Sequence, residues 1–410
     1  MLQEVHVGHK SLADYQSVVI KPLIEEIRSL AESLKGKRIL HINATSFGGG
    51  VAEILYTLVP LMRDVGLDAD WRVIMAPQEF YEATKVIHNC LQGSPAGLKQ
   101  AQREVYEEQS RAATQSLGGS FDFIVVHDPQ PLLLRHFAGD LGAKWIWRCH
   151  IDTSSPHREL ADYLLPYIQL YDAAIFSIDK YIFSGLQIPV RIFMPAIDPL
   201  STKNMALSPE DADYVVSQFG LEPGPPLLLQ VSRFDPWKDP LGVIDAYKMV
   251  KKEFASVQLA LVGSMATDDP EGWSFFTNTV EHAGDDSDVL ILSNLNNVGN
   301  LEVNAFQSRA DVVIQKSIRE GFGLTVSEAL WKIKPTIGGN VGGIPTQVQD
   351  GKTGFLVDSV EQCAERCMWL LDHPKEAREM GRAGKEHVRA HFLAPRLLRD
   401  YLKLFVEMEG

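Results

Sequence analysis

Short apolar runs alternate with amphipathic stretches along nearly the whole chain. RILHINAT (38–45) reads as a buried strand, and VAEILYTLVPLMRDVG has apolar positions at helical spacing. DADWRVIMA, FDFIVVHD (121–128), KWIWRCHID (144–152), DAAIFSI (172–178) and VRIFMPA (190–196) follow as further strands, preceded by a polar leader expected to be helical. Several runs end in polar residues, as buried parallel strands do where their carboxyl ends open on a site. Around 197–226 the texture changes to IDPLSTKN and then LEPGPP, the best linker in the chain. The pattern restarts with PLLLQVSR (226–233), VQLALVGS (257–264), DVLILSN (288–294), ADVVIQKS (310–317), KPTIGG (334–339) and TGFLV (353–357), separated by helix candidates. This repetition predicts an α/β protein with two doubly wound, Rossmann-like domains facing a central cleft. The expected boundaries are 1–200 and 201–390, with 391–410 a helix packing back on the first domain.

Composition narrows the class. A chain of 410 residues is long for one core, and 45% hydrophobic with 22% charged residues suits an ordinary globular protein. A net charge of −14 argues against nucleic-acid or acidic-membrane partners. The N-terminal MLQEVHVGHKSLADYQ lacks a signal-like apolar core, so a cytoplasmic location is expected. Cys363 and Cys367 stand one helical turn apart with no further ligand beside them, which favours two thiols on one helix face over a metal pair.

Four stretches carry candidate chemistry. SFGGG (46–50) joins a strand to a helix, and Gly48, Gly49 and Gly50 would let backbone N–H groups approach an anion. The spacing is not that of a dinucleotide fingerprint, and a tight turn explains it as well. In QVSRFDPWKDP (230–240), Arg233 and Lys238 follow a strand directly and suit a diphosphate, although such a pair also occurs as plain surface charge. REGFGLTVSEA (319–329) places Glu320 and Glu328 eight apart. Gly321 and Gly323 are poor helix interiors, so Glu320 is expected on a loop and Glu328 inside a helix beginning near Gly323. That helix start would aim the N–H groups of Leu324 and Thr325 at an anion, leaving the carboxylates to grip hydroxyls. Finally, HDPQP (127–131) and WRCHIDTSSP (147–156) put His127, Asp128, His150 and Asp152 at strand ends. The acid pairs Asp268–Asp269 and Asp285–Asp286 suggest metal sites less well than turns and caps.

Glycine loop, R-x4-K and E-x7-E in this order resemble the retaining glycosyltransferases of the GT-B fold, the group containing sucrose and glycogen synthases. SFGGGVAEI, VHDPQP, WRCHID, AIDPLS, QVSRFDPWK, DDPEGW and SIREGFGLTV further resemble trehalose synthases that use nucleotide-activated glucose, and their relatives the trehalose phosphorylases. The resemblance spans about residues 38–390. It implies transfer of glucose from an NDP-glucose to free glucose, giving α,α-trehalose and NDP with retention. It also implies that Arg233 and Lys238 hold the diphosphate with N–H groups at Gly48–Gly50 and Leu324–Thr325. Glu320 would hold hydroxyls of the donor sugar, Glu328 the ribose, and His150 the region of the sugar's C6 hydroxyl and anomeric centre. Asp152 and Asp128 are the acceptor-side candidates. No cofactor is expected, although Mg2+ can accompany the diphosphate, and the resemblance makes a homodimer plausible.

One departure stands out: Thr346 in VGGIPTQ occupies a place where many relatives carry glutamate, which argues against a glycogen synthase. A phosphorylase, a non-catalytic sugar-nucleotide-binding protein and an NAD-dependent oxidoreductase remain as alternatives, the last disfavoured by the missing fingerprint acid.

Overall fold

The computed structural model describes residues 1–263 and 270–410, the side chains of Pro270 and Glu271 excepted, so Asp268 and Asp269 lie outside the described residues. The chain divides into two compact units, one of Met1–Ala196 with Ala394–Gly410 and one of Ile197–Leu393.

The first unit runs β1 (Leu2–Glu4), α1 (Lys21–Ser33), β2 (Arg38–Asn43), α2 (Gly50–Asp64), β3 (Asp68–Ile74), α3 (Gln78–Leu91) and α4 (Gln100–Thr114). It continues with β4 (Phe123–His127), α5 (Leu134–Ala138), β5 (Lys144–Arg148), α6 (Arg158–Ile168), β6 (Ala173–Phe176) and β7 (Val190–Ile192). Its seven strands lie in the order β1-β3-β2-β4-β5-β6-β7. All neighbours are parallel except β1, which pairs antiparallel with β3. The polar leader is thus helical only in part. Leu2–Glu4 instead caps the sheet edge, and three residues are too few to show a strand period.

Because side chains alternate along a strand, each strand serves two layers. Leu40, Ile42, Ile124, Val126, Trp145, Trp147 and Phe176 share one core with Phe80, Tyr106 and Leu164 of α3, α4 and α6. On the opposite face Phe123 stacks on Phe405 at 4.5 Å between ring centres, and Tyr401 packs edge-on against His41 and Phe193.

The second unit contains α7 (Pro209–Ser217), β8 (Leu227–Val231), α8 (Pro240–Val250), β9 (Gln258–Gly263), α9 (Pro270–Ala283), β10 (Val289–Ser293) and α10 (Asn300–Arg309). Then come β11 (Val312–Gln315), α11 (Leu324–Trp331), β12 (Thr336–Gly339), α12 (Ile344–Gln347), β13 (Gly354–Val357), α13 (Val360–Asp372) and α14 (Pro374–His391). The chain re-enters the first unit as α15 (Ala394–Glu409), which supplies the Tyr401 and Phe405 just described. α15 buries Leu397, Leu398, Tyr401, Leu402, Leu404 and Phe405, a hydrophobic contribution on the order of 10 kcal/mol at about 2 kcal/mol per large side chain.

The second sheet is wholly parallel in the order β10-β9-β8-β11-β12-β13. The first strand is therefore central. The chain winds outward to β10, returns beside β8 as β11, and winds the other way. At such a reversal the loops after the two central strands splay apart and leave a crevice for ligands. In the first sheet the same reversal falls between β2 and β4. Among the described residues no helix is long and apolar enough to cross a membrane.

Two groups outside the sites have structural roles. Asp286 accepts hydrogen bonds from Lys251 and Tyr247 at 2.6 and 3.0 Å, and Cys363 and Cys367 are buried in the core face of α13.

Candidate functional site

Two sequence-distant stretches meet at the reversal in the second unit. The loop after β8 carries Arg233 and Lys238, and the loop after β11 carries Ser317 and Glu320. Lys238 Nζ donates to Glu320 Oε2 at 2.7 Å, and both side chains are largely buried. The same oxygen accepts from Ser317 Oγ at 3.2 Å and from Gln315 Nε2 at 3.5 Å. Gln315 Oε1 in turn accepts from Thr325 Oγ1 at 3.2 Å. Strand, loop and helix start are thereby joined by one polar chain. Next to it Lys316 pairs with Asp239, whose side chain also caps α8.

The glycines explain why the loop can lie here. Gly323 sits at φ 81° as the N-cap of α11, and a Cβ there would come 3.2 Å from Glu320 Cγ. Half-buried Gly321 lies in the same loop. Gly339, at the end of β12, must also be glycine, since a Cβ would overlap the Ser317 carbonyl oxygen. α11 runs from Leu324 and has no side-chain cap, so its first N–H groups, Leu324 and Thr325 included, present the positive end of the helix dipole. Arg233 is different from Lys238. Its side chain is about half exposed and lies 3.3 Å from Asp235.

Glu328 lies one turn inside α11 and is fully buried. Lys203 pairs with it at 2.9 Å, Gln307 Nε2 donates to it at 3.1 Å, and Lys332 Nζ bonds Gln307 and Asn204 alongside. Burial pushes this carboxyl up, but Lys203 and Lys332 together hold it below the usual glutamate range. Burial conversely pulls Lys332 down to about 7 against the attraction of Glu328. Lys203 and Asn204 belong to the segment that opens the second unit. Asn304 holds that segment by donating to the carbonyls of Thr202 and Met205, both at 2.9 Å.

In the first unit, Gly48 at φ 72°, Gly49 and Gly50 form an exposed turn into α2, whose N-cap Gly49 likewise offers no side-chain cap. From inside β2 to the ends of β4 and β5 three imidazoles line up. His41 Nδ1 lies 3.0 Å from His127 Nε2, and His127 Nδ1 lies 3.0 Å from His150 Nε2. Burial holds His41 down to about 3 and keeps His127 and His150 well below the ordinary histidine range, so all three are neutral. Asp128 has the left-handed φ of 64° and accepts the His150 backbone N–H at 2.7 Å. Burial raises its carboxyl to about 7, against that hydrogen bond. Asp152 is buried and accepts from the Ser154 backbone N–H at 3.0 Å, fixing its own loop.

The predicted residues therefore group as Arg233, Lys238, Glu320, Gly321, Gly323, Leu324 and Thr325 around one reversal, with Glu328 behind them. Gly48–Gly50, Asp128, His150 and Asp152 gather at strand ends of the first unit. Gln315, Ser317, Lys203, Gln307, Lys332 and His41 are additional. A legible signal existed for Gln315, the single polar residue of VVIQ. The Thr346 hydroxyl donates to the Gly343 carbonyl at 2.7 Å, and its own carbonyl lies 3.0 Å from His387 Nε2. Among the described residues no three His, Cys, Asp or Glu side chains cluster as a metal site would require.

Comparison with known proteins accords with this architecture. Residues 41–183 match the family model described as trehalose synthase, N-terminal domain, and residues 215–387 match glycosyl transferases group 1. The trehalose synthase of Rubrobacter xylanophilus is 58% identical over 416 aligned residues covering 100% of both chains. That of Pyrococcus horikoshii is 45% identical, covering 100% of this chain and 99% of its own. A trehalose phosphorylase from Pleurotus pulmonarius is 27% identical over 84% of this chain and 54% of its own length. Among solved structures, the sucrose-phosphate synthase of Thermosynechococcus elongatus superposes with a TM-score of 0.71 at 18% identity, over 91% of this chain and 99% of that one. At that identity the likeness speaks for the fold. With two parallel Rossmann-like sheets and full-length relatives well above 30% identity, the chain belongs to the trehalose synthase family, glycosyltransferases built on the GT-B fold.

Proposed function

We propose that this glycosyltransferase moves glucose from an NDP-glucose to the anomeric hydroxyl of free glucose, releasing NDP and α,α-trehalose with retention at the donor carbon. The observation that carries the reading is the Lys238–Glu320 pair at the β8/β11 reversal, a cation for the diphosphate beside a carboxylate for sugar hydroxyls. In this reading the bond from the donor's anomeric carbon to the phosphate oxygen breaks as the acceptor oxygen bonds to the same face. The acceptor's proton passes to the departing phosphate oxygen. Arg233, Lys238 and the start of α11 offset the charge that develops there, and the protein contributes mainly position and preorganised charge. Glu328 would meet the ribose, with Lys203 giving way, and His150 would meet the donor sugar, with Asp128 and Asp152 on the acceptor side. No resident cofactor takes part, any Mg2+ arriving on the diphosphate, and the working form is a cytoplasmic homodimer.

Incubation with ADP-, UDP- or GDP-glucose and glucose, followed by NMR of the disaccharide, tests the reading. α,α-Trehalose and free NDP in equal amounts are expected. Trehalose formed from glucose 1-phosphate and glucose without nucleotide would make the enzyme a phosphorylase instead. Tight binding of NDP-glucose with no turnover would make it a binding protein.

A further inference from the structure

The three histidines of the first unit form a directional array, and its two ends differ. At the inner end His41 is fully buried, and its Nε2 has no hydrogen-bond partner among the described residues. The ring of Tyr401 meets it edge-on at 5.8 Å between centres. At the outer end His150 is only half-buried, and among the described residues no hydrogen bond engages its Nδ1. Neutral imidazole carries one N–H and one lone pair, so each link needs a donor nitrogen facing an acceptor nitrogen. Two arrangements satisfy both 3.0 Å links. In one, protons sit on Nδ1 of all three rings, and His41 Nε2 is a bare lone pair. In the other, protons sit on Nε2 of all three, and His41 buries an N–H with nothing to accept it. Orphaned buried N–H groups are rarer than under-used acceptors, so the first arrangement is favoured.

We propose that His41 and His127 are positioning residues that fix His150 in the Nδ1–H tautomer, so that it meets its ligand as a hydrogen-bond donor to an oxygen lone pair. This deepens, and rests on, the reading that His150 contacts the sugar donor. Its consequence is selective. A neutral N–H donor accepts a hydroxyl or ether oxygen as partner without drawing a proton from it, whereas the opposite tautomer would present a base. His127 cannot be exchanged for an apolar ring of similar size without releasing this constraint. Asparagine, by contrast, can keep a donor N–H near the Nδ1 position.

Histidine-selective 15N labelling of the intact wild-type protein reads the tautomer directly and needs no substrate. A pyrrole-type Nδ1 and pyridine-type Nε2 at His150 are expected, and the reverse pattern overturns the proposal. In parallel, His127→Phe should lower kcat for trehalose formation by about tenfold to a hundredfold, as loss of an outer partner of a functional histidine does. KM for NDP-glucose should change far less, and His127→Asn should recover most of the loss. Equal losses in the two variants would reduce His127 to packing and overturn the role. Should wild-type enzyme make no trehalose, the functional reading fails while the tautomer measurement still stands on its own.

Discussion

Lys238 and Glu320, 82 positions apart in the chain, meet at 2.7 Å because β8 and β11 are neighbours at the point where the second sheet reverses. Each is the other's counter-ion in a largely buried setting, and each is also assigned to substrate. Stability and activity should therefore separate cleanly. Lys238→Ala leaves a buried carboxylate without its cation and should cost about 3 kcal/mol in urea unfolding. Lys238→Met combined with Glu320→Gln should restore most of that stability while trehalose formation stays lost. A double variant as unstable as Lys238→Ala would show that the pair is not the source of the cost.

Arg233 provides the contrast. Its side chain is half exposed and, among the described residues, pairs with Asp235 alone, so Arg233→Ala should change stability by less than about 0.5 kcal/mol. Turnover should fall by about a hundredfold, the usual scale for losing one group that stabilises developing charge. Steady-state kinetics with saturating NDP-glucose checks this. Near-normal kcat would remove Arg233 from the chemistry.

Gly323 tests the geometry of the loop. With φ at 81° and Glu320 Cγ 3.2 Å from any added Cβ, Gly323→Ala should cost about 1–3 kcal/mol. The substitution should also weaken NDP-glucose binding, since the displaced groups are Glu320 and the start of α11. Calorimetric titration and thermal unfolding of the same variant measure both effects.

His41 gives a pH signature with a definite sign. Its folded pKa lies near 3, below the ordinary value of 6.5, so between those limits the unfolded chain binds the additional proton. The penalty is absent above about pH 6.5 and grows as pH falls toward 3. At pH 5.5 it amounts to about 1.4 kcal/mol for this one group. His41→Phe should flatten the loss of stability between pH 7 and 5 by about 2 kcal/mol, read from urea unfolding at several pH values. An unchanged slope would mean that His41 is already solvated.

The strands of both sheets were legible because a strand buried on two faces must be a continuous apolar run. The strand-end loops were legible because Arg233, Lys238 and Glu320 interrupt those runs abruptly. The split of Glu320 and Glu328 between loop and helix followed from Gly323. What stayed hidden was partnership. Nothing local says that Glu320 pairs with Lys238, or that Lys203, from the segment following the first unit, reaches Glu328, since sheet order decides both. His41 was hidden for another reason: one polar residue flanked by Ile39, Leu40 and Ile42 is outvoted by those neighbours when periodicity is read. Leu2–Glu4 escaped because its pairing lies with β3, some 70 positions away.

The return of the chain as α15 has a consequence for how the molecule is made. The first unit is interrupted, and its last helix covers His41 and Phe123 only after the whole of Ile197–Leu393 has been synthesised. Until then the patch around His41 and Phe123 lacks the burial that α15 brings. On a ribosome the later-encoded half can reach its native state first. The histidine array, whose inner end Tyr401 closes, is then among the last parts of the molecule to be sealed.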